Sequence, residues 1–211
     1  MTLRYALDDS YNELPMADSR TSTVTAHLKH SAKTFDAVAA ECVPSMLKAA
    51  DLLIASFKAG GMLLLCGNGG SAADAQHMAA EFVSRLRKER PRPAISALAL
   101  TTDTSFLTAY ANDEAFEGIF ARQVEAHGKK GDVLLGITTS GKSPNVLHAF
   151  AEAKKRKMIT IALTGSAGMG CDCDCVIKVP GGDTQCTQEA HLSIEHILCE
   201  LVEDALYPAK P

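Results

Sequence analysis

Hydrophobic residues recur at three- and four-residue spacing through residues 25–40 and 43–58, the second stretch carrying Val43, Met46, Leu47, Leu53, Ile54 and Phe57. That spacing winds them onto one face of a helix, and Pro44 suits a first turn, where an amide proton has no intrahelical partner anyway. The two stretches predict a helical hairpin. From Met62 the rhythm changes to short, nearly continuous apolar runs at 62–66, 94–100, 133–137, 159–163 and 176–179, with longer amphipathic segments between them. Strands covered by helices on both faces read this way, because neither side of the strand meets water. The fold class predicted is α/β, a three-layer domain on five parallel strands, closed by a last helix over 188–206. The first 20 residues are polar and aperiodic and read as a flexible arm. The chain thus divides into an arm at 1–20, N-terminal helices at 21–60 and the α/β domain at 61–211.

Composition narrows the classes of function. With 211 residues and 46% hydrophobic content, the chain can bury one substantial core without staples. Its 21 Lys and Arg against 25 Asp and Glu give a formal charge of -4, which offers no footprint for nucleic acid. The opening MTLRYALDDSYNELPMADSR has acids where a secretory signal needs an apolar core, and no apolar run approaches the length of a membrane span. A cytoplasmic protein is expected, and its seven cysteines, an odd and scattered number, are expected to be reduced thiols.

Two polar loops carry the candidate chemistry: Gly67-Asn68-Gly69-Gly70-Ser71 after the first run, and Thr138-Thr139-Ser140-Gly141-Lys142-Ser143-Pro144 after the third. Each leads from a strand into a helix, where free backbone N–H groups and the helix dipole favour anions, so together they suit one phosphorylated small molecule. In the second loop Ser143 is a good N-cap and Pro144 a good first helical residue. Gly67-x-Gly69-x-x-Ala72 also satisfies a dinucleotide fingerprint, but that reading wants an acid at the end of the second strand, and Asp103 comes late. A plain glycine turn is the simpler alternative. The basic run Arg85, Arg87, Lys88, Arg90 and Arg92 reads as a solvated helix end. His77 and Glu81 stand at i, i+4 on the helix that the first loop opens, and the last helix offers Gln188, Glu189, His191 and His196. These groups could form a metal site or an acid/base pair, or the helical pair could be an ordinary surface contact. Single-residue spacing in Cys171-Asp172-Cys173-Asp174-Cys175 suits tetrahedral metal closure poorly, so that segment reads as a turn into the last strand.

Taken together, residues 67–77, Glu81, Thr101-Thr102-Asp103, Asn112-Asp113, Gly131–Gly136, Ser140-Gly141-Lys142-Ser143 and Gln188-Glu189-x-His191 resemble the phosphoheptose isomerases, within the wider sugar isomerase (SIS) class. The resemblance runs from about Val43 to the C-terminus and agrees with the predicted helices and five-stranded sheet. It implies isomerisation of D-sedoheptulose 7-phosphate to D-glycero-D-manno-heptose 7-phosphate through an enediol, in a homotetramer with active sites at subunit interfaces. It implies Glu81 and His196 as the acid/base pair. Asn68, Gly69, Gly70, Glu81, Asn112, Asp113 and Gln188 would contact the sugar, and Thr138, Thr139, Ser140 and Ser143 the phosphate. It further implies zinc held by His77, Glu81, Gln188 and His196. Three features depart from the family pattern: a longer N-terminal arm, Thr138-Thr139-Ser140 where Ser-Thr-Ser is common, and the cysteine-rich segment where glycines are usual. One alternative is a non-enzymatic SIS protein that binds a replication initiator, which lacks the matching glutamate and histidine. Another is an NAD(P)-dependent oxidoreductase.

Overall fold

The computed structural model describes residues 19–208, so the arm read over 1–20 lies outside the described residues except for Ser19 and Arg20, which begin the first helix. The N-terminal helices are α1 (Ser19–Glu41) and α2 (Val43–Lys58). Only Cys42 separates them, in αR conformation, and its N–H still bonds to Val38 O at 2.9 Å while its carbonyl accepts from Met46 N. The two expected N-terminal helices are thus joined directly through Cys42, just ahead of Pro44, where a helical donor is missing.

The α/β domain follows as β1 (Leu63–Gly67), α3 (Gly70–Val83), β2 (Ala97–Ala99), α4 (Thr104–Asp113), a 3-10 turn at Phe116–Gly118, α5 (Ile119–His127), β3 (Val133–Thr138), α6 (Pro144–Lys155), β4 (Ile159–Thr164), β5 (Cys175–Lys178) and α7 (Thr184–Leu206). The five strands form one sheet in the order β2-β1-β3-β4-β5, every pairing parallel. β1 and β3 are buried along their whole length, as their unbroken apolar runs require. Side chains alternate between two cores. Leu63, Leu65, Val133, Leu135, Ile161 and Leu163 face α2, α3 and α7, while Leu64, Leu134 and Ala162 face α5 and α6.

Two elements depart from the sequence pattern. β2 is shorter than the 94–100 run, because Ile95 N–H bonds to Phe82 O at the end of α3 instead of to a strand. α7 begins four residues before the predicted Gln188, since Asp183 caps it, accepting from Cys186 N at 2.8 Å. All seven cysteines are free thiols, and among the described residues no helix is long and apolar enough to cross a membrane.

Candidate active site

β1 and β3 are neighbours, yet the chain leaves β1 toward one edge of the sheet and β3 toward the other. Loops at such a switch point diverge and leave a crevice outside the strands' carboxyl ends. Both candidate loops open here. Asn68 Nδ2 donates to Asn145 Oδ1 at 2.9 Å, and Asn145 Nδ2 returns the bond to Asn68 Oδ1 at 2.8 Å, so a reciprocal amide clasp locks one loop to the other. In the second loop the Ser143 hydroxyl lies 3.1 Å from that of Thr138, with Ser140 Oγ 3.5 Å beyond it. Ser143 holds the N-cap position of α6 but makes no capping bond, contrary to the sequence expectation. The hydroxyls of Thr138, Ser140 and Ser143 thus gather ahead of a helix N-terminus whose dipole favours an anion. Thr139 is half-buried in the same loop, its carbonyl accepting from Gly165 N. Gly141 has φ +66°, and a Cβ there would overlap the Gly168 carbonyl, so the loop is held against the segment beyond β4.

The first loop starts α3, with Gly69 at its N-cap. Gly70 packs against α7 so closely that a Cβ would stand 2.6 Å from Gln188 Nε2. Farther along the same two helices, His77 Nε2 and His196 Nε2 are 2.8 Å apart, the rings meeting edge to face, and Glu81 Oε1 lies 3.6 Å from His77 Nε2. A hydrogen bond between two imidazole nitrogens needs one donor and one acceptor, so at least one ring is neutral. The donor atoms of His77, Glu81 and His196 all fall within 4.8 Å of one another, and two imidazoles with a carboxylate are a zinc-type donor set. Three of the four expected ligands are therefore together; Gln188 lies eight residues before His196, at the Gly70 end of α3. Asn112 and Asp113 sit on the exposed end of α4 and bond to each other, Asn112 Nδ2 donating to Asp113 Oδ1 at 2.8 Å. Among the described residues no hydrogen bond ties them to His77, Glu81 or the Thr138 loop.

The remaining polar residues of α7 part company. Glu189 turns to α1, and His191 turns into the core, where its ring nitrogens find no partner of good geometry. Burial holds His191 down at about 4, although the nearby Thr164 backbone favours the charged form. Glu195, one turn on, is also fully buried, and burial followed by the charge of Asp74 pushes it up to about 9. Asp74, one turn before His77, is itself raised by burial against the pull of His77.

The basic run is a correction in part to the sequence reading: Arg85 and Lys88 are exposed as expected, but the other three arginines are tied to α7. Arg87 and Arg90 pair with Glu200 and Asp204 of α7, and Arg92 pairs with Glu203 at 2.5 Å, both side chains being 3% exposed. Arg92 also donates to Phe82 O and Glu81 O at 2.8 Å each, stitching the end of α3 to α7 beside the cluster. Sequence reading named Arg92 only as part of the basic run and missed Asn145, whose one signal was an asparagine in the first turn after a proline. Asp103, too late for a ribose contact, is spent capping α4 through Phe106 N at 3.0 Å, which removes the support a dinucleotide site requires.

Comparison with known proteins bears on the family of the chain. The SIS domain family matches residues 26–165. The phosphoheptose isomerase of Burkholderia pseudomallei (strain 1710b) is 54% identical over 162 residues, covering 76% of this chain and 81% of that protein. The phosphoheptose isomerase of Desulfovibrio desulfuricans is 47% identical over 194 residues, covering 91% of each. Among solved structures, the phosphoheptose isomerase from Neisseria gonorrhoeae superposes with a TM-score of 0.80 at 40% identity, covering 88% of this chain and 99% of that one. The corresponding protein from Francisella tularensis gives 0.84 at 35%, covering 88% and 98%.

Proposed function

The chain belongs to the SIS domain family and, within it, to the phosphoheptose isomerases, and on that footing we propose that it converts D-sedoheptulose 7-phosphate to D-glycero-D-manno-heptose 7-phosphate. The observation that carries the reading is the meeting of His77, Glu81 and His196 from α3 and α7, beside a clasped loop pair that presents hydroxyls at a helix N-terminus. The Thr138, Thr139, Ser140 and Ser143 loop takes the phosphate. The crevice over Asn68, Gly69 and Gly70 takes the reacting end, with Gln188 at its side and Asn112 and Asp113 as further sugar contacts. One of Glu81 and His196 removes a proton from C1 while O2 gains one, giving the 1,2-enediol. Return of a proton to C2 and loss of the O1 proton then yield the aldehyde. His77, Glu81, Gln188 and His196 would hold a zinc ion, which when bound polarises the hydroxyl-carbonyl pair and stabilises developing enediolate charge.

The His77 side chain is 42% exposed, and an apolar groove along Phe35, Val43, Met46, Leu47, Ile197 and Leu201 lies on the N-terminal helices and α7. Both features support a homotetramer with active sites at subunit interfaces. A phosphorylated sugar substrate and reduced thiols suit a cytoplasmic setting. Neither the replication-initiator reading nor the oxidoreductase reading finds support among these relatives.

The direct test is conversion of sedoheptulose 7-phosphate by purified protein, with and without added zinc. Glu81→Gln and His196→Ala are each expected to lower kcat by about 10²- to 10⁴-fold, the range of a lost acid/base group. Near-wild-type rates in both would sink the catalytic assignment, and full activity in metal-free protein would remove zinc from the chemistry.

A further inference from the structure

A second group of metal-binding side chains lies outside this site, where α1 crosses the start of α7. His27 Nε2 is 2.8 Å from Glu189 Oε1, and their donor atoms fall with Cys186 Sγ inside 4.8 Å. On the other flank of the same sulfur stand His30 and Asp183, whose atoms form a second such group with Cys186. Ser31 Oγ sits between them, donating to Glu189 Oε2 at 2.6 Å and lying 3.5 Å from Cys186 Sγ. The sulfur is buried, while the His27 and Glu189 side chains keep 39% and 41% of their surface. An ion could therefore enter from solvent and meet a sheltered thiol.

The packing of α1 gives this cluster its interest. Although 23 residues long, α1 buries only Ser31, Thr34 and Val38, and its apolar Val24 and Leu28 face outward. Its N-terminal half is thus docked on α7 by polar groups with little hydrophobic burial. Asp183 Oδ2, shielded at the same junction on a side chain that is 38% exposed, has no hydrogen-bond partner of good geometry, although His30 Nδ1 stands 3.3 Å away. Thiolate, imidazole and carboxylate together are the donors chosen by divalent cations of borderline softness.

We propose that Cys186, His27 and Glu189 form a second metal site for a zinc-class divalent cation, which pins α1 to the N-terminus of α7. The His27 flank is favoured over the other because Ser31 holds the Glu189 carboxylate there while itself lying against the Cys186 sulfur. On binding, the Cys186 S–H bond gives its proton to solvent and the sulfur bonds the cation as thiolate. The site lies just before Gln188, so its occupancy fixes the end of α7 that meets Gly70.

Cobalt(II) added to reduced, metal-free, full-length protein tests this independently of the isomerase reading, because His77, Glu81, Gln188 and His196 include no sulfur. A thiolate-to-cobalt charge-transfer band is expected to saturate by two equivalents per chain, one ion for this site and one for the sulfur-free His77 cluster. It should vanish in Cys186→Ser and persist in the double variant Cys171→Ser, Cys173→Ser. His27→Ala, an exposed change that does not threaten folding, should weaken cobalt affinity by at least the roughly tenfold that losing even an outer-sphere partner of a metal ligand costs. The absence of a thiolate band, its survival in Cys186→Ser, or unchanged affinity in His27→Ala overturns the proposal.

Discussion

Asn68 and Asn145 exchange two hydrogen bonds across the crevice, and Asn145 is 2% exposed, so replacing it with Ala strands a half-buried amide on the opposite loop. The cost expected is about 1–3 kcal/mol. Because the clasp sets the spacing between the two loops proposed to hold the phosphate and the reacting end, Asn145→Ala should raise KM for the phosphosugar more than it lowers kcat, a split that steady-state kinetics reads directly. His191 offers a different residue-scale test. Its folded pKa of about 4 lies below the ordinary 6.5, so the unfolded chain binds a proton that the folded chain refuses. The stability this neutral ring contributes is whole above pH 6.5 and is lost as pH falls from there toward 4. Replacing His191 with the uncharged Gln should flatten that acid limb in a series of melting temperatures against pH, whatever it does to stability at neutral pH. A limb of unchanged slope would place the acid sensitivity elsewhere.

At the scale of elements, the junction of α3 and α7 sets the proposed catalytic cluster beside a buried ion pair. Arg92 and Glu203 are both almost wholly buried, and the guanidinium also holds the carbonyls of Glu81 and Phe82. Arg92→Ala leaves an uncompensated buried carboxylate and is expected to cost about 3–5 kcal/mol, seen as a lower midpoint in urea. Arg92→Met with Glu203→Leu removes both charges and should recover much of that loss. Failure of the double variant to recover would mean that the carbonyl bonds, and not the ion pair, matter most. This junction also shows what a sequence can and cannot disclose. The strands were legible because burial on both faces leaves an unbroken apolar run, and α2 because its apolar residues keep one phase. His77 and Glu81 were legible as a pair because helical spacing alone brings them together. The meeting of His77 with His196 is a tertiary event, carried for this sequence by family resemblance and not by spacing. The same blindness turned Arg87, Arg90 and Arg92 into an apparently solvated run, since their acidic partners lie more than 100 residues away. The joint of α1 and α2 was legible in kind and not in detail, because a proline signals a break but not its angle.

The whole molecule presents an apolar face that a lone chain leaves uncovered. Phe35, Val43, Leu47 and Ile197 are each 39–49% exposed and line or flank one groove where α1, α2 and α7 converge. A grouped apolar surface of this kind marks association more often than chance exposure. One of the helices that build it also carries part of the proposed site, since α7 supplies His196 and the partly exposed Ile197 in adjacent positions. If copies of the chain close over this face, assembly and catalysis are linked by one helix. Leu47→Glu, which does not touch any residue placed at the reacting centre, should then disrupt the assembly, as light scattering on a sizing column would report. Its helical content by circular dichroism should stay near wild type, because Leu47 is outside the buried core. Activity per chain should fall with the assembly and return as protein concentration is raised toward the weakened dissociation constant. A fully active Leu47→Glu monomer would instead mean that one chain completes the site alone, with Asn112 and Asp113 reaching the sugar from their own subunit.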